Sequence, residues 1–174
     1  VTPAFILGDG VSALGIVRSL GRRGIPVYLF SSERDGIAEQ SRYAKTTMLS
    51  EPKSHRAIAN DLLSAAKGFD QKPVLYYLTD DYLDFVSDNR EQLQERFLFP
   101  ISSRESIECV GKKEKFGLFC AENAVPAPQN FTMDNDAEVM QLLNDAPYPL
   151  MIKPSKSLDW QQQEFANKHG WIKV

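Results

Sequence analysis

Lys113 and Lys153 are the residues of this 174-residue chain whose placement most invites chemistry. Lys153 follows an apolar run, Tyr148-Pro149-Leu150-Met151-Ile152, that reads as a turn into a strand. An ammonium buried at the end of such a strand is costly without a partner, and a nucleotide phosphate is such a partner. Lys113 stands in Val110-Gly111-Lys112-Lys113, at the opening of a helical pattern. Two lysines converging on the α- and β-phosphates act as point charges through charge-assisted hydrogen bonds, each contributing about 1.5–3 kcal/mol. Singly, each has a plainer reading. Lys112-Lys113-Glu114-Lys115 is the composition of a solvated helix face, and Lys153 alone is the exposed end of a strand. Their order and spacing together favour the phosphate reading.

A second candidate lies near the front. Gly8-Asp9-Gly10-Val11-Ser12-Ala13 fits G-x-G-x-x-G/A between an apolar run and a helical pattern. Such a turn aims backbone N–H groups and the positive end of a helix at one point, where a phosphate or carboxylate can sit. A parallel sheet needs a tight glycine turn here in any case. A dinucleotide site also wants an acidic residue at the end of the next strand, but that strand ends Phe30-Ser31-Ser32. An NADP site using Ser32 and Arg34 stays open as a weak alternative.

Other side chains complete the inventory. Ligands of a parallel sheet bind at the C-terminal ends of its strands, which points to Asp9, Gly10, Ser12, Thr79, Asp80 and Asp81. Paired carboxylates serve as acid and base or hold a metal, yet Thr79 or Asp80 also reads as a helix cap, with Asp81 favouring the first turn. Arg42 in Ser41-Arg42-Tyr43 suits an anionic substrate, or the loop is simply anchored by Tyr43. His55 and His169 lack zinc-site spacing, and no metal ligand set is assigned. No G-x-S-x-G element or Cys/His nucleophile spacing appears, so the catalytic residues stay unknown.

The elements that must position these groups alternate. A strand at 4–7, the glycine turn, a helix capped by Ser12 and closed by Gly24, and a strand at 25–30 form a βαβ unit with a right-handed crossover. A short strand at 46–49, a helix after Ser54, a strand at 73–78, a helix after Thr79 and an apolar segment at 97–100 continue it. The expected fold class is α/β. Residues 1–105 form a Rossmann-like doubly wound parallel domain. A second region, 106–174, holds a helix at 112–123, an extended Val125-Pro126-Ala127-Pro128 segment, a helix introduced by an Asn135/Glu138 capping box, and the strand leading to Lys153.

Bulk properties exclude several classes. A net charge of -3 with 25% charged residues offers no basic field for nucleic acid and no polybasic membrane segment. No apolar run approaches the roughly 18–20 residues that span a bilayer, and no signal-peptide pattern precedes Ala4. Cys109 and Cys120 suit a reduced, cytoplasmic compartment. The chain starts at Val1, and Trp171-Ile172-Lys173-Val174 reads as a strand with nothing after it to turn or cap, so a continuation past Val174 is expected.

Three segments carry a family resemblance. The first is Gly15-Ile16-Val17-Arg18-Ser19-Leu20-Gly21 with Gly24-Ile25-Pro26-Val27, followed by Ser41-Arg42-Tyr43. The second runs from Gly111-Lys112-Lys113 to Val125-Pro126-Ala127-Pro128. The third is Tyr148-Pro149, then Ile152-Lys153-Pro154. Together they resemble the ATP-grasp ligases: biotin carboxylase, carbamoyl-phosphate synthetase and above all the D-aspartate-ligase-like carboxylate–amine ligases. The resemblance implies a domain that precedes the grasp, followed by the truncated beginning of the first ATP-grasp lobe, an α+β unit. It implies ATP and Mg2+ as cofactors, with Lys113 and Lys153 on the nucleotide and the metal ligands outside this chain. It further implies small-molecule carboxylate and amine substrates joined through an acyl phosphate, and a homodimer as the oligomer to look for. The family's glycine-rich loop is replaced by Ser155-Lys156-Ser157-Leu158-Asp159, where Ser155 and Ser157 offer hydroxyl donors. Lys112 stands where an acidic residue is common, which leaves the first lysine open among Lys112, Lys113 and Lys115, with Lys113 favoured. The chain by itself is expected to be an inactive part of the ligase. A non-catalytic binding module derived from a ligase is the other alternative.

Overall fold

A computed structural model describes residues 1–51, 53–131, 133, 135–145, 149–152 and 172–173. The chain divides into two compact units, Val1–Ser102 and Ser103–Val174.

The first unit alternates strands and helices: β1 (Ala4–Leu7), α1 (Gly10–Gly21), β2 (Val27–Ser31), β3 (Ala44–Met48), α2 (His55–Ala66), β4 (Val74–Tyr77), α3 (Asp80–Asp88) and α4 (Arg90–Gln94). The strands form one parallel sheet in the order β3-β2-β1-β4. β1 is central, with Ala4 aligned to Val27 on one side and to Val74 on the other. Its four residues are all apolar and all buried, the signature of a strand covered on both faces. Side-chain alternation divides the core. Phe5, Leu7, Phe30 and Leu75 pack with Ile58 and Leu62 of α2, Phe85 of α3 and Leu93 of α4. Ile6, Val27 and Leu29 pack on the opposite face with Ala13 and Val17 of α1. This is the doubly wound α/β arrangement expected from the alternation of elements.

One local expectation needs correction. Ser12 is not the N-cap of α1. Gly8 and Gly10 adopt φ of 142° and 74°, which lets the chain turn at once after β1, so the helix begins at Gly10 and Asp9 takes the cap position. The 97–100 segment does not form a full strand. Only Leu98 bridges Val74, because Pro100 follows and cannot donate to a ladder.

The second unit contains α5 (Arg104–Gly111), α6 (Lys113–Glu122), α7 (Asp136–Asp145), β5 (Met151–Ile152) and β6 (Ile172–Lys173). α5 adds a helix beyond those read from the sequence. Ser103 caps it by accepting from Ser106 N–H at 3.1 Å. Lys112, extended at φ −106° and ψ 115°, separates α5 from α6. α7 opens with a variant of the capping box: Asn135 Oδ1 accepts from Glu138 N–H at 3.1 Å, while the Asn135 side-chain Nδ2, rather than its backbone N–H, donates to Glu138 Oε1 at 2.8 Å. β5 and β6 pair antiparallel, Ile152 opposite Ile172. Among the described residues no helix is long and apolar enough to cross a membrane.

Candidate functional site

The strand order reverses at β1: β2 and β3 lie on one side and β4 on the other. The C-terminal ends of β1 and β4 therefore flank the crevice in which sheets of this kind bind ligands. Gly8 borders it closely, since a Cβ there would stand 3.0 Å from Leu78 Cβ. Gly10 has open space around it, and Val11 and Ser12 are exposed. The α1 N-terminus has no side-chain cap, so its first N–H groups are available to an anion.

Asp9 does not cap that helix because its carboxylate is held by the end of β2. It accepts from the Ser31 hydroxyl, from Ser32 N–H at 3.2 Å and from the Ser32 hydroxyl at 2.8 Å. Ser31 is fully buried, and its single hydroxyl proton also has the Glu33 carbonyl within 2.7 Å. Lys53 Nζ donates to the Ser32 carbonyl at 2.7 Å and pairs with Glu51 at 3.4 Å. Tyr82 joins from α3. Burial pushes its phenol above the usual range, partly offset by a hydrogen bond with Ser32, so it remains a neutral O–H. Ser31, Lys53 and Tyr82 escaped sequence reading; a serine directly after the apolar run Val27 to Phe30 was the available signal.

This network opposes the NADP alternative. Both Ser32 donors are taken by Asp9, and a 2′-phosphate at Ser32 would meet that carboxylate. The network also stabilises the crevice wall. Asp9→Ala is expected to lower stability by about 1–3 kcal/mol by leaving donors unsatisfied, whereas Asp9→Asn keeps an acceptor oxygen and recovers most of it. Urea unfolding checks this; equal midpoints for wild type and Asp9→Ala would remove the structural role.

Asp80 and Asp81 are exposed in the first turn of α3, and Thr79 is its N-cap, accepting from Tyr82 N–H at 3.2 Å. The two carboxylates thus favour the helix dipole. Among the described residues no three His, Cys, Asp or Glu side chains gather as metal ligands.

Arg42 lies elsewhere. It precedes β3, whose Ala44 aligns with Val27 at the start of β2, so it belongs to the N-terminal edge of the sheet, opposite Gly10, Ser12, Asp80 and Asp81. There a cavity of about 490 Å³ is lined by Arg18, Arg22, Gln40, Ser41, Arg42 and Tyr43. Tyr43 packs so tightly on α1 that a Cβ on Gly21 would come within 2.4 Å of Tyr43 Cβ.

In the second unit, Lys112 and Lys113 are exposed at the start of α6, where the cap position makes no side-chain hydrogen bond. Lys115 is drawn back to α5: its Nζ donates to Glu108 Oε2 at 3.0 Å and holds that carboxyl below its usual range. β5 runs to Ile152, immediately before Lys153; Lys153 and Ser155 lie outside the described residues.

No protein-family model matches the sequence, and no curated protein matches it. Solved structures do. The L-amino acid ligase of Bacillus licheniformis is similar over 99% of this chain and 39% of its own, with a TM-score of 0.62 at 16% identity. The N5-carboxyaminoimidazole synthetase of Staphylococcus aureus, complexed with ADP, is similar over 99% of this chain and 41% of its own, with a TM-score of 0.68 at 13% identity. The biotin carboxylase domain dimer of the Hydrogenobacter thermophilus 2-oxoglutarate carboxylase, in complex with MgADP, ADP and bicarbonate, is similar over 89% of this chain and 35% of its own, with a TM-score of 0.59 at 16% identity. These are ATP-grasp ligases, and at such identities the likeness is one of fold. The chain spans about two-fifths of the length of the first two.

Proposed function

We propose that this chain is the N-terminal part of an ATP-dependent carboxylate–amine ligase that works through an acyl phosphate. One observation carries the reading. A doubly wound parallel unit is followed by a short helical unit and an antiparallel strand pair, and nearly the whole chain matches ATP-grasp ligases in that order. In this reading 1–105 is the domain preceding the grasp and 106–174 begins its first lobe.

ATP fits the residues present to a limited extent. Lys113 would meet a phosphate at the start of α6, and Lys153 and Ser155, which follow β5 in the sequence, would be its other partners. Mg2+ finds no ligand set among the described residues, so no step here is assigned to it. ATP would supply the phosphoryl group: a carboxylate oxygen would displace ADP at the γ-phosphorus, and an amine would then displace phosphate at the acyl carbon, its proton passing to solvent. The lysines hold and neutralise charge. The crevice of the first unit, around Gly10 and Ser12, holds a substrate's anionic group, with Asp80 and Asp81 near its rim. A cytoplasmic homodimer belongs to the same reading.

The test uses the protein encoded by the whole gene, supplied with ATP, Mg2+ and panels of amino acids and amines. ADP and phosphate should appear in equal amounts, and only when both a carboxylate and an amine are present. AMP and pyrophosphate as products, or no thermal protection by Mg-ATP, overturns the reading.

A further inference from the structure

The cavity at the N-terminal edge of the first sheet has a composition its neighbours do not explain. Three of its six lining residues are arginines and none is acidic. Arg18 and Arg22 come from one face of α1, four residues apart, a spacing at which like charges repel. The negative end of the helix dipole offsets part of that repulsion. Arg42 then brings a third guanidinium from the loop before β3. Among the described residues none of the three forms an ion pair. Glu39 is the acidic residue nearest in sequence, but it does not line the cavity. Its Oε1 is buried without a hydrogen-bond partner on the Gly36 side of the loop.

Arg42 is held in position. Its Nη2 donates to Tyr43 Oη at 2.7 Å, and its guanidinium carbon lies 4.8 Å from the Tyr43 ring centroid. Tyr43 is itself fixed against Gly21 of α1. The exposed fork lines the cavity, and Gln40 and Ser41 add neutral polar groups. A planar, pre-positioned guanidinium beside two more cations matches a compact anion with several oxygens and more than one charge.

We propose that Arg18, Arg22 and Arg42 form a binding site for a phosphate-type polyanion, a diphosphate or a phosphate ester, at the edge of the sheet opposite the substrate crevice. All its residues belong to the first unit, so it stands whether or not the ligase reading does.

The experiment titrates the full-length protein, with Mg-ADP saturating any nucleotide site, against inorganic pyrophosphate in ionic-strength-matched buffer, followed by calorimetry. Wild type should saturate in the millimolar range or below. Arg22→Gln and Arg42→Gln should each weaken binding about tenfold, on the scale of one lost charge-assisted contact. Arg23→Gln, on the same helix turn but outside the cavity, should change little. Circular dichroism confirms that the variants are folded, and Arg42→Lys separates fork geometry from charge by restoring only part of the affinity. No saturation, or binding indifferent to Arg42→Gln, overturns the proposal. Tighter binding of a short single-stranded RNA than of pyrophosphate through the same arginines also overturns it, in favour of a nucleic-acid surface.

Discussion

Lys153→Ala in the full-length protein is expected to weaken Mg-ATP binding tenfold or more, about 1.4 kcal/mol or above. The reason is electrostatic. An ammonium buried without a partner is costly, and a phosphate oxygen within hydrogen-bond reach of it makes a charge-assisted pair worth about 1.5–3 kcal/mol. Lys113→Ala should act in the same direction, and Lys115→Ala, whose lysine pairs with Glu108 at 3.0 Å, is the comparison on the same helix. Calorimetric titration of the three variants with Mg-ATP separates them. Unchanged affinity in Lys153→Ala would sink the assignment, and a larger effect of Lys115→Ala than of Lys113→Ala would move the first phosphate lysine along α6.

Phe5→Ala should cost more than any surface change in the molecule, about 3–5 kcal/mol. Phe5 is fully buried in the central strand. Its ring centroid lies 5.3 Å from Tyr28, 5.1 Å from Phe30, 5.5 Å from Phe69 and 5.4 Å from Phe97. These rings come from β2, the segment after α2 and the segment after α4, so truncating Phe5 opens a void that no single neighbour can fill. Against a typical total of about 5–15 kcal/mol, such a loss removes a large share of the unit's stability. Phe5→Leu keeps much of the volume and should cost about 1.5 kcal/mol or less. Urea unfolding measures both; a loss below about 1 kcal/mol for the alanine variant would mean that the cluster closes around the gap.

The sequence made the sheet legible because its strands are nearly pure apolar runs. Phe5 and Leu7 against Ile6 could be assigned to opposite faces only once the helices on each face were known. The glycine turn was readable as a turn, but not the position of its cap. Ser12 and Asp9 are equally good capping residues by type, yet positive φ at Gly8 and Gly10 starts the helix earlier and leaves Asp9 in the cap position, with its carboxylate turned to the end of β2. α5 was missed because, in Arg104 to Gly111, Ile107 is the sole buried side chain, too little for a periodic stripe. The site residues drawn from far apart in sequence, Asp9 with Ser31, Lys53 and Tyr82, are joined by side-chain hydrogen bonds and local charge, which leave no mark in spacing. Arg42 was read from the sequence as a residue suited to an anion, but its company of Arg18 and Arg22 depends on β3 returning beside β2. Capping signals fared better: Ser54, Thr79 and Asn135 each accept from the helix they precede, because a cap is decided within four residues.

The central place of β1 has a consequence for the order of events during synthesis. Of the four described strands of this sheet β1 is made first, and β2 gives it one partner after Val27. Its other edge waits for Val74 to Tyr77. Until then four wholly apolar residues present an unpaired edge, a template for association with other chains. The loop that must close to satisfy it is among the longest in the unit, and long-range pairing of this kind is what slows folding. The arrival of β4 is thus the committing event for the first unit. Everything the crevice between β1 and β4 does depends on the last strand of the sheet to join.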